Sequence, residues 1–169
     1  YSCVLCGPGM TTSAGAMQVV SGLLELDVPL ILDADALNCL AKIAIDGIDS
    51  NPEMYRREQP LVMTPHYREL SRLVAGDEVN DLGTAIAAAQ KVVWAAGSDN
   101  LVVIAKGPTT AICGVERVLL PLSGPASLAT AGSGDVLAGI LAGTLATMRD
   151  DMDRWELLYS YAVALHSYA

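Results

Sequence analysis

One carboxylate stands directly after two glycines and before a run of apolar residues in the segment "AGSGDVLAG". Gly132 and Gly134 allow a tight turn, and the apolar run predicts a helix that begins at about Gly134. The unbonded N–H groups of a first helical turn, with the positive end of the helix dipole, form a binding place for an anion. There, Asp135 is placed to take a proton from a hydroxyl group while those N–H groups stabilise a phosphoryl group in transfer. The segment by itself equally allows a simpler role, in which Asp135 only favours the start of the helix.

Two common phosphate-binding motifs do not match this segment. A dinucleotide fingerprint needs a glycine at position 137, which is Leu137 in this chain. A P-loop needs Lys and then Ser or Thr after its second glycine, but Gly139 is followed by Ile140 and Leu141. The sequence therefore predicts a plain anion-binding helix start rather than either motif.

Turn-forming or polar residues also follow four predicted strands. They are "GPG" at residues 7–9, "DADALN" at 33–38, "TPH" at 64–66, and "KGPTT", which comprises Lys106, Gly107, Pro108, Thr109 and Thr110. Ligands of open α/β sheets bind beyond the carboxyl ends of the strands. We therefore expect these four segments to line one cleft together with Asp135.

The elements that must position these segments alternate between strands and helices. Apolar strands are predicted at residues 2–6 and in "PLILD", "PLVM" and "LVVIA", with helices at about residues 13–26, 36–45 and 82–96 and a short helix after "TP". "TTAIC" and "VERVLLP" predict a hairpin about Gly114, and two helices at about residues 134–148 and 154–169 close the chain. This order predicts an α/β fold with a mostly parallel central sheet, helices on both faces and an antiparallel edge hairpin. No linker divides the chain, so residues 1–169 are expected to form one domain.

The composition agrees with one globular domain that has a sizeable core. Of 169 residues, 52% are hydrophobic and 17% are charged. The formal net charge of −9 argues against nucleic acid or an anionic membrane as a partner, so any phosphate must be met by a local site. The longest apolar stretch, residues 136–148, is too short to span a membrane.

The cysteines favour a cytoplasmic protein with reduced thiols. Cys3 and Cys6 form a single C-x-x-C motif, and no second ligand pair follows it, which argues against a zinc site. Cys39 and Cys113 are isolated in the sequence and are expected to pack as small apolar side chains.

These motifs carry a family resemblance. "AGSGDVLAG" resembles the G-x-G-D anion-binding segment of the ribokinase-like superfamily. The ordered set "GPG", "LDADALN", "TPHxxE" and "KGxxT" resembles the ADP/ATP-dependent NAD(P)H-hydrate dehydratases. The resemblance runs from Gly7 to about His166 and implies a ribokinase-like fold. Members of that family are usually longer at the N-terminus, so the resemblance also implies that this chain corresponds to the C-terminal two thirds of such a domain.

The resemblance implies a reaction of metabolite repair. Family members convert the S epimer of hydrated NADH or NADPH back to the working cofactor, with ADP or ATP as the phosphoryl donor and with Mg²⁺. The hydroxyl group of the hydrate is phosphorylated, and phosphate then leaves. By the same resemblance, Asp135 is the base on that hydroxyl, Gly132, Gly134 and residues 106–110 face the nucleotide phosphates, and Gly9 and His66 line the nicotinamide side.

Each of these residues also has a simpler interpretation. Lys106 fits a solvated lysine at a strand end, and His66 fits a turn or helix-capping residue. Asp33 and Asp35 are expected to cap the helix that follows them, although two nearby carboxylates would also suit a water-mediated Mg²⁺ site. The metal ligands are therefore left unassigned.

Three positions depart from the family pattern. Thr11 stands where family members commonly have a glycine, and Tyr67 and Arg68 stand where they commonly have Pro and Gly. The acid of that motif, Glu69, is retained. The bulkier Tyr67 and Arg68 are expected to narrow the site or change how the substrate ring is held, and so to affect substrate preference.

Two other functions remain open from the sequence. A kinase of the same superfamily would phosphorylate a sugar or a vitamin precursor with the same Asp135 and release the phosphorylated product. A catalytically silent nucleotide-binding domain would keep the anion-binding segment without turnover.

The last predicted helix carries an apolar stripe. Its members are Trp155, Leu158, Tyr159, Ala162, Leu165 and His166. Burial in the core is the preferred assignment, and a surface for forming a homo-oligomer is the alternative.

Overall fold

The computed structural model describes residues 2–44, 52–121, 130, 132–147 and 155–168. Six strands form one sheet in chain order: β1 (Val4–Cys6), β2 (Leu30–Leu32), β3 (Leu61–Met63), β4 (Leu101–Ala105), β5 (Ala111–Cys113) and β6 (Val118–Leu119). β1 to β4 are parallel, and β5 and β6 are antiparallel to their neighbours. The predicted mostly parallel sheet with an antiparallel edge hairpin is confirmed.

Six α-helices and one short 3₁₀ helix occupy the described residues. They are α1 (Ala14–Leu24), α2 (Ala34–Ile43), the 3₁₀ helix (Pro52–Tyr55), α3 (Tyr67–Leu73), α4 (Leu82–Ala96), α5 (Ser133–Thr147) and α6 (Trp155–Ser167). Each predicted helix is present, although α2 begins two residues before its predicted start. The predicted helix ends at residues 45, 148 and 169 and the predicted start at residue 154 lie outside the described residues.

The sheet is covered on both faces because its strands alternate their side chains. Leu30 and Leu32 of β2 belong to a core cluster shared with residues of α1 to α4. Ile31, between them, points to the other face and packs with residues of α5 and α6. All three side chains are completely buried, which is typical of a strand in a parallel sheet between two helical layers.

The apolar stripe of α6 is mostly core. Leu158, Tyr159 and Ala162 are buried on the side of α6 that faces α5 and the sheet. Leu165 was expected on the same stripe, and this was wrong, because it lies on the outer face of the helix. Four apolar or aromatic side chains are exposed there: Leu157 (64%), Tyr161 (61%), Leu165 (45%) and Tyr168 (85%).

None of the helices in the described ranges has the length and apolar character needed to cross a membrane. The four cysteines are free thiols, and burial raises the pKa of Cys113 to about 12.

Candidate functional site

The segments that follow the parallel strands lie side by side at one edge of the sheet. The N–H of Asp33 donates to the Cys6 carbonyl over 3.0 Å, and the N–H of Thr64 donates to the Leu32 carbonyl over 3.1 Å. The N–H of Lys106 donates to the Pro65 carbonyl over 2.8 Å. The extended backbone thus continues past the ends of the strands and brings the four predicted segments together.

The first two of these segments are in backbone contact. Gly7 has φ +133°, and a Cβ atom at this position would collide with the backbone carbonyl oxygen of Asp33. Only glycine permits both the conformation and the close approach. Gly9, two residues further on, is exposed and has φ +69° with open space around it.

A partly buried ion pair lies at this edge of the sheet. The Lys106 Nζ is 2.6 Å from Asp33 Oδ1, and the Asp33 side chain is only 1% exposed. Asp33 occupies the N-cap position of α2, but its carboxylate makes no capping hydrogen bond there. The expectation that Asp33 caps α2 was therefore wrong, because its carboxylate is turned toward the ammonium group. The interpretation of Lys106 as a solvated lysine was also wrong.

The start of α5 reaches this ion pair. A Cβ atom on Gly134 would lie 3.1 Å from Lys106 Nζ and 4.0 Å from Asp33 Oδ2. A side chain at position 134 would therefore fill the space in front of the lysine. The glycine keeps the first helical turn open beside a positive charge, as an anion-binding helix start requires.

Asp135 is exposed in that first turn and follows Gly134 directly. Across the parts of the chain with described positions, it takes part in no hydrogen bond or ion pair. Gly132, before the helix, is exposed and has φ +88°. The carboxylate of Asp135 is thus left available to a ligand.

A histidine that the sequence placed only on an apolar stripe touches the same turn. His166 Nε2 of α6 lies 2.9 Å from both the hydroxyl and the carbonyl oxygen of Ser133, the first residue of α5. Because a carbonyl oxygen can only accept, Nε2 must carry the hydrogen. With that hydrogen in place, His166 cannot act as a base on Ser133, so the contact holds the helix start in position. Only the helical spacing of α6 hinted at this contact in the sequence.

His66 caps α3. Its Nδ1 accepts hydrogen bonds from the backbone N–H groups of Arg68 and Glu69, over 3.1 and 3.2 Å, and its own N–H donates to Glu69 Oε2 over 2.9 Å. This is a capping box, so the capping interpretation of His66 is confirmed. The His66 side chain is half-exposed, and its Nε2 lies 3.5 Å from Glu69 Oε1. The role of His66 toward the substrate stays a prediction.

Glu69 is a buried carboxyl next to these charged groups. Burial raises its pKa above the ordinary value of 4.5, and nearby Asp33 raises it further. The hydrogen bond from the His66 backbone and the charges of His66 and Lys106 oppose that rise. The sequence marked Glu69 only as a retained position, without indicating its burial.

The segment at residues 106–110 runs from the ion pair toward the surface. Gly107 and Pro108 are exposed, and Thr109 and Thr110 are half-buried. The ring of Tyr67, the first residue of α3, lies against Gly107.

The described side chains at this edge of the sheet do not form a metal site by themselves. Within residues whose positions are described, no group of three His, Cys, Asp or Glu side chains could hold one. Asp33 is engaged by Lys106. Mg²⁺ often binds through substrate phosphates with few protein ligands. The residues here therefore fit a Mg²⁺ ion that is bound to the phosphates of a nucleotide.

A cavity of about 590 Å³ lies elsewhere. It is lined by the end of α1 and by residues that precede β2 and β3, including Asp27 and Gln59. Those residues lie at the amino ends of parallel strands, so the cavity is on the opposite edge from the candidate site.

Solved structures define the class of the protein. The ADP/ATP-dependent NAD(P)H-hydrate dehydratase from Bacillus subtilis, co-crystallised with ATP/Mg²⁺ and soaked with CoA, matches with a TM-score of 0.77 and 29% identity, over 99% of this chain and 56% of that one. A ribokinase-like superfamily protein from Enterococcus faecalis matches with a TM-score of 0.71 and 26% identity, over 99% of this chain and 54% of that one. The chain therefore has a ribokinase-like fold.

Sequence comparison gives the family. A family model described as NAD(P)H-hydrate dehydratase matches residues 1–168. The bifunctional NAD(P)H-hydrate repair enzyme Nnr of Thermosynechococcus vestitus is 39% identical over 148 residues, which are 86% of this chain and 26% of that enzyme. The ADP-dependent (S)-NAD(P)H-hydrate dehydratase of Neisseria meningitidis is 35% identical over 143 residues, which are 83% of this chain and 46% of that enzyme. This chain belongs to the NAD(P)H-hydrate dehydratase family, so the resemblance in the sequence is confirmed, and it spans less than half the length of these two relatives.

Proposed function

We propose that this chain carries the site for ADP- or ATP-dependent dehydration of the S epimer of hydrated NADH or NADPH. The single observation that supports this most is the approach of Gly134 to the Lys106–Asp33 ion pair, where a Cβ atom on the glycine would lie 3.1 Å from Lys106 Nζ. The approach brings a lysine charge and a helix start together, and both suit the phosphates of a nucleotide.

On the nucleotide side, the N–H groups of the first turn of α5 and the Lys106 ammonium face the phosphates. Gly132 and Gly134 keep this approach free of side chains, and residues 106–110 form the neighbouring wall. Preorganised donors of this kind stabilise the charge that spreads over a phosphoryl group during transfer. Asp33 holds the lysine in place through the ion pair.

Asp135 is the general base of the proposed reaction. Its carboxylate takes the proton of the hydrate hydroxyl as the hydroxyl oxygen forms a bond to the terminal phosphorus of ADP or ATP and the bond from that phosphorus to the rest of the nucleotide breaks. The phosphate ester is a better leaving group than hydroxide. Phosphate then departs with the C–O bond electrons, and loss of a proton restores the ring double bond.

Gly9 and His66 line the nicotinamide side in this proposal. His66 Nδ1 is occupied by the capping of α3, and in this proposal Nε2, which lies 3.5 Å from Glu69 Oε1 on a half-exposed side chain, faces the substrate. A Mg²⁺ ion bound to the nucleotide would offset the charge of its phosphates, with Lys106 and the first turn of α5 facing the same phosphates. Free thiols agree with the cytoplasm as the compartment.

Partners beyond small molecules stay predictions from the sequence. The net charge of −9 argues against nucleic acid and anionic membranes. Self-association is tested by light scattering of the purified chain at micromolar concentration. The outer face of α6, with Tyr161 at 61% exposure, is the surface to vary, and a monomer would remove the homo-oligomer.

The experiment that tests the function combines two readouts. The purified chain is mixed with hydrated NADH, Mg²⁺ and either ADP or ATP, and recovery of NADH absorbance is measured together with release of inorganic phosphate. The proposal expects the two products in equal amounts. A phosphorylated product without inorganic phosphate would favour the kinase alternative. Nucleotide binding with neither product would favour the silent domain.

A further inference from the structure

The ring of Tyr67 occupies the place where a side chain on Gly107 would be. An ideal Cβ atom on Gly107 would collide with Oη, Cζ and Cε1 of Tyr67. These are the three atoms nearest to that position, and all of them belong to one side chain. The two residues are distant in sequence and meet because the ends of β3 and β4 are adjacent.

Glycine is not needed at position 107 for its backbone freedom. Among the glycines whose positions are described, positive φ occurs at Gly7, Gly9, Gly76, Gly97 and Gly132, and Gly107 is not one of them. An alanine could therefore adopt the same backbone conformation, and the demand for glycine comes from Tyr67.

Packing against the core limits how far the ring can move. Tyr67 packs as a partly buried side chain against the core cluster that contains residues of α3 and α4. The backbone beside it is fixed as well, because His66 and Lys106 pair as a parallel bridge and the Lys106 N–H donates to the Pro65 carbonyl over 2.8 Å. The ring thus lies beside a segment whose first residue is held by the backbone pairing.

We infer that, given the proposed function, Tyr67 is a positioning residue that fixes Gly107 and with it the nucleotide-facing segment at residues 106–110. The expectation from the sequence was that Tyr67, with Arg68, narrows the site or changes how the substrate ring is held. The contact with Gly107 lies instead on the side assigned to the nucleotide. Tyr67 therefore sets the affinity for ADP and ATP.

The dependence is expected to be specific to the nucleotide. Loss of the ring leaves Gly107 without support, so ADP and ATP should bind roughly 10-fold more weakly, since small displacements in a positioned site cost large factors. Phe in place of Tyr67 keeps the ring and should bind the nucleotides within about twofold of wild type. The Michaelis constant for the nucleotide should rise with Tyr67→Ala, while that for the hydrate changes little.

Calorimetric titration of the purified chain with ADP and with ATP, each with Mg²⁺, tests the inference. The variants are Tyr67→Ala, Tyr67→Phe, Gly107→Ala and the double variant Tyr67→Ala/Gly107→Ala. Gly22→Ala is the matched control, because a Cβ atom on Gly22 would have nothing within 4 Å. Thermal unfolding of each variant shows that the folded chain is being titrated.

The double variant separates positioning from a general loss of structure. Gly107→Ala should weaken nucleotide binding about 10-fold in the wild-type chain but less than about twofold in the Tyr67→Ala chain, because the collision is then absent. Additive effects, or a Tyr67→Ala chain that binds nucleotide as wild type does, would overturn the inference and leave the proposed function in place. If the wild-type chain binds neither ADP nor ATP, both the inference and the proposed function are wrong.

Discussion

Asp33 and Lys106 form an ion pair of 2.6 Å although 73 residues separate them in the chain. Asp33 directly follows β2 and Lys106 directly follows β4, and the end of β3 lies between them. The pair therefore links the ends of β2 and β4 across the end of β3. It also lies directly in front of Gly134, so the same contact that holds the sheet edge presents a positive charge to the start of α5.

Replacing Asp33 with Asn is expected to destabilise the fold. Removing one partner of a buried ion pair leaves the other charge uncompensated, which costs about 3 kcal/mol of unfolding free energy. The side chain of Lys106 is 20% exposed, so water partly compensates it and the loss stays near that lower value. Urea denaturation of the two proteins measures the difference.

Asp35→Asn is the matched control for that change. Asp35 lies in the same first turn of α2, but it is only half-buried and accepts one long hydrogen bond, 3.4 Å, from Asn38. We expect its replacement to cost less than about 1 kcal/mol. Equal losses in the two variants would contradict the structural importance given to the ion pair.

Replacing Ala75 with Gly is expected to stabilise the protein. Ala75 is exposed after α3 and has φ +60°, a left-handed conformation that costs a residue with a Cβ atom roughly 1 kcal/mol or more. Glycine removes that strain, but it also loses more conformational entropy on folding than alanine does. The net increase in the free energy of unfolding is about 0.5 kcal/mol. Thr11, with φ +43° where family members commonly have glycine, follows the same argument.

The control for this prediction is Ala87→Gly. Ala87 is also exposed, but it lies in the interior of α4, where glycine costs about 1 kcal/mol relative to alanine. Thermal unfolding should therefore shift in opposite directions for the two variants. A loss of stability in both would show that the strain at Ala75 is not relieved by glycine.

Glu69 is expected to make stability fall as the pH rises above 4.5. Burial raises its pKa in the folded state, so between 4.5 and that raised value the folded protein keeps a proton that the unfolded chain has released. The free energy of unfolding then decreases with increasing pH over that window. Glu69→Gln keeps an acceptor for the His66 N–H and should remove this part of the slope in urea denaturation at a series of pH values.

Asp81 is expected to have the opposite effect on the pH dependence of stability. Its hydrogen bonds from the backbone and hydroxyl of Thr84 lower its pKa below 3.8, so the folded state releases the proton first. Its contribution to stability is present above 3.8 and is lost as the pH falls through the lowered pKa. Asp81→Asn should therefore flatten the acid end of the profile, and Glu69→Gln should change only the region above 4.5. Identical changes in both variants would contradict these assignments.

Local patterns in the sequence predicted most of the fold. Continuous apolar runs such as "LVVIA" correspond to strands buried on both faces, and Ser13 and Asp81 cap α1 and α4 as their residue types favour. The predicted bounds differ most from the structure for a short strand. The segment "VERVLLP" contributes only the two residues of β6, Val118–Leu119. Its apolar residues extend beyond the part whose backbone pairs with β5.

The sequence indicated the segments of the site but not their contacts. Asp33 was expected to cap a helix, since that preference is local, but its carboxylate bonds to a lysine that is distant in the chain. The contacts of Tyr67 with Gly107 and of His166 with Ser133 are equally remote in sequence. Such pairs depend on which strand ends and helices become neighbours, and no spacing along one chain specifies that.

Asp135→Asn is expected to abolish turnover while leaving nucleotide binding largely intact. The amide keeps the size and the helix-start geometry but cannot accept the proton of the hydroxyl, so the rate should fall on the order of 10²- to 10⁴-fold. Backbone contacts to phosphate do not involve the carboxylate and should persist. Phosphate release with hydrated NADH and calorimetric titration with ADP measure the two effects on the same preparations.

The choice of Asn separates the catalytic role from the structural one. Asp135 is exposed in the first turn of α5, where Asp and Asn serve a helix start almost equally well, so a purely structural residue would tolerate the exchange. Asp99→Asn is the matched control, because Asp99 is an exposed acid before β4, at the opposite edge of the sheet. It should retain full turnover and full nucleotide affinity. Turnover near the wild-type rate in the Asp135→Asn chain would remove the general base from the proposed mechanism, and lost ADP affinity would show that the carboxylate acts in nucleotide binding instead.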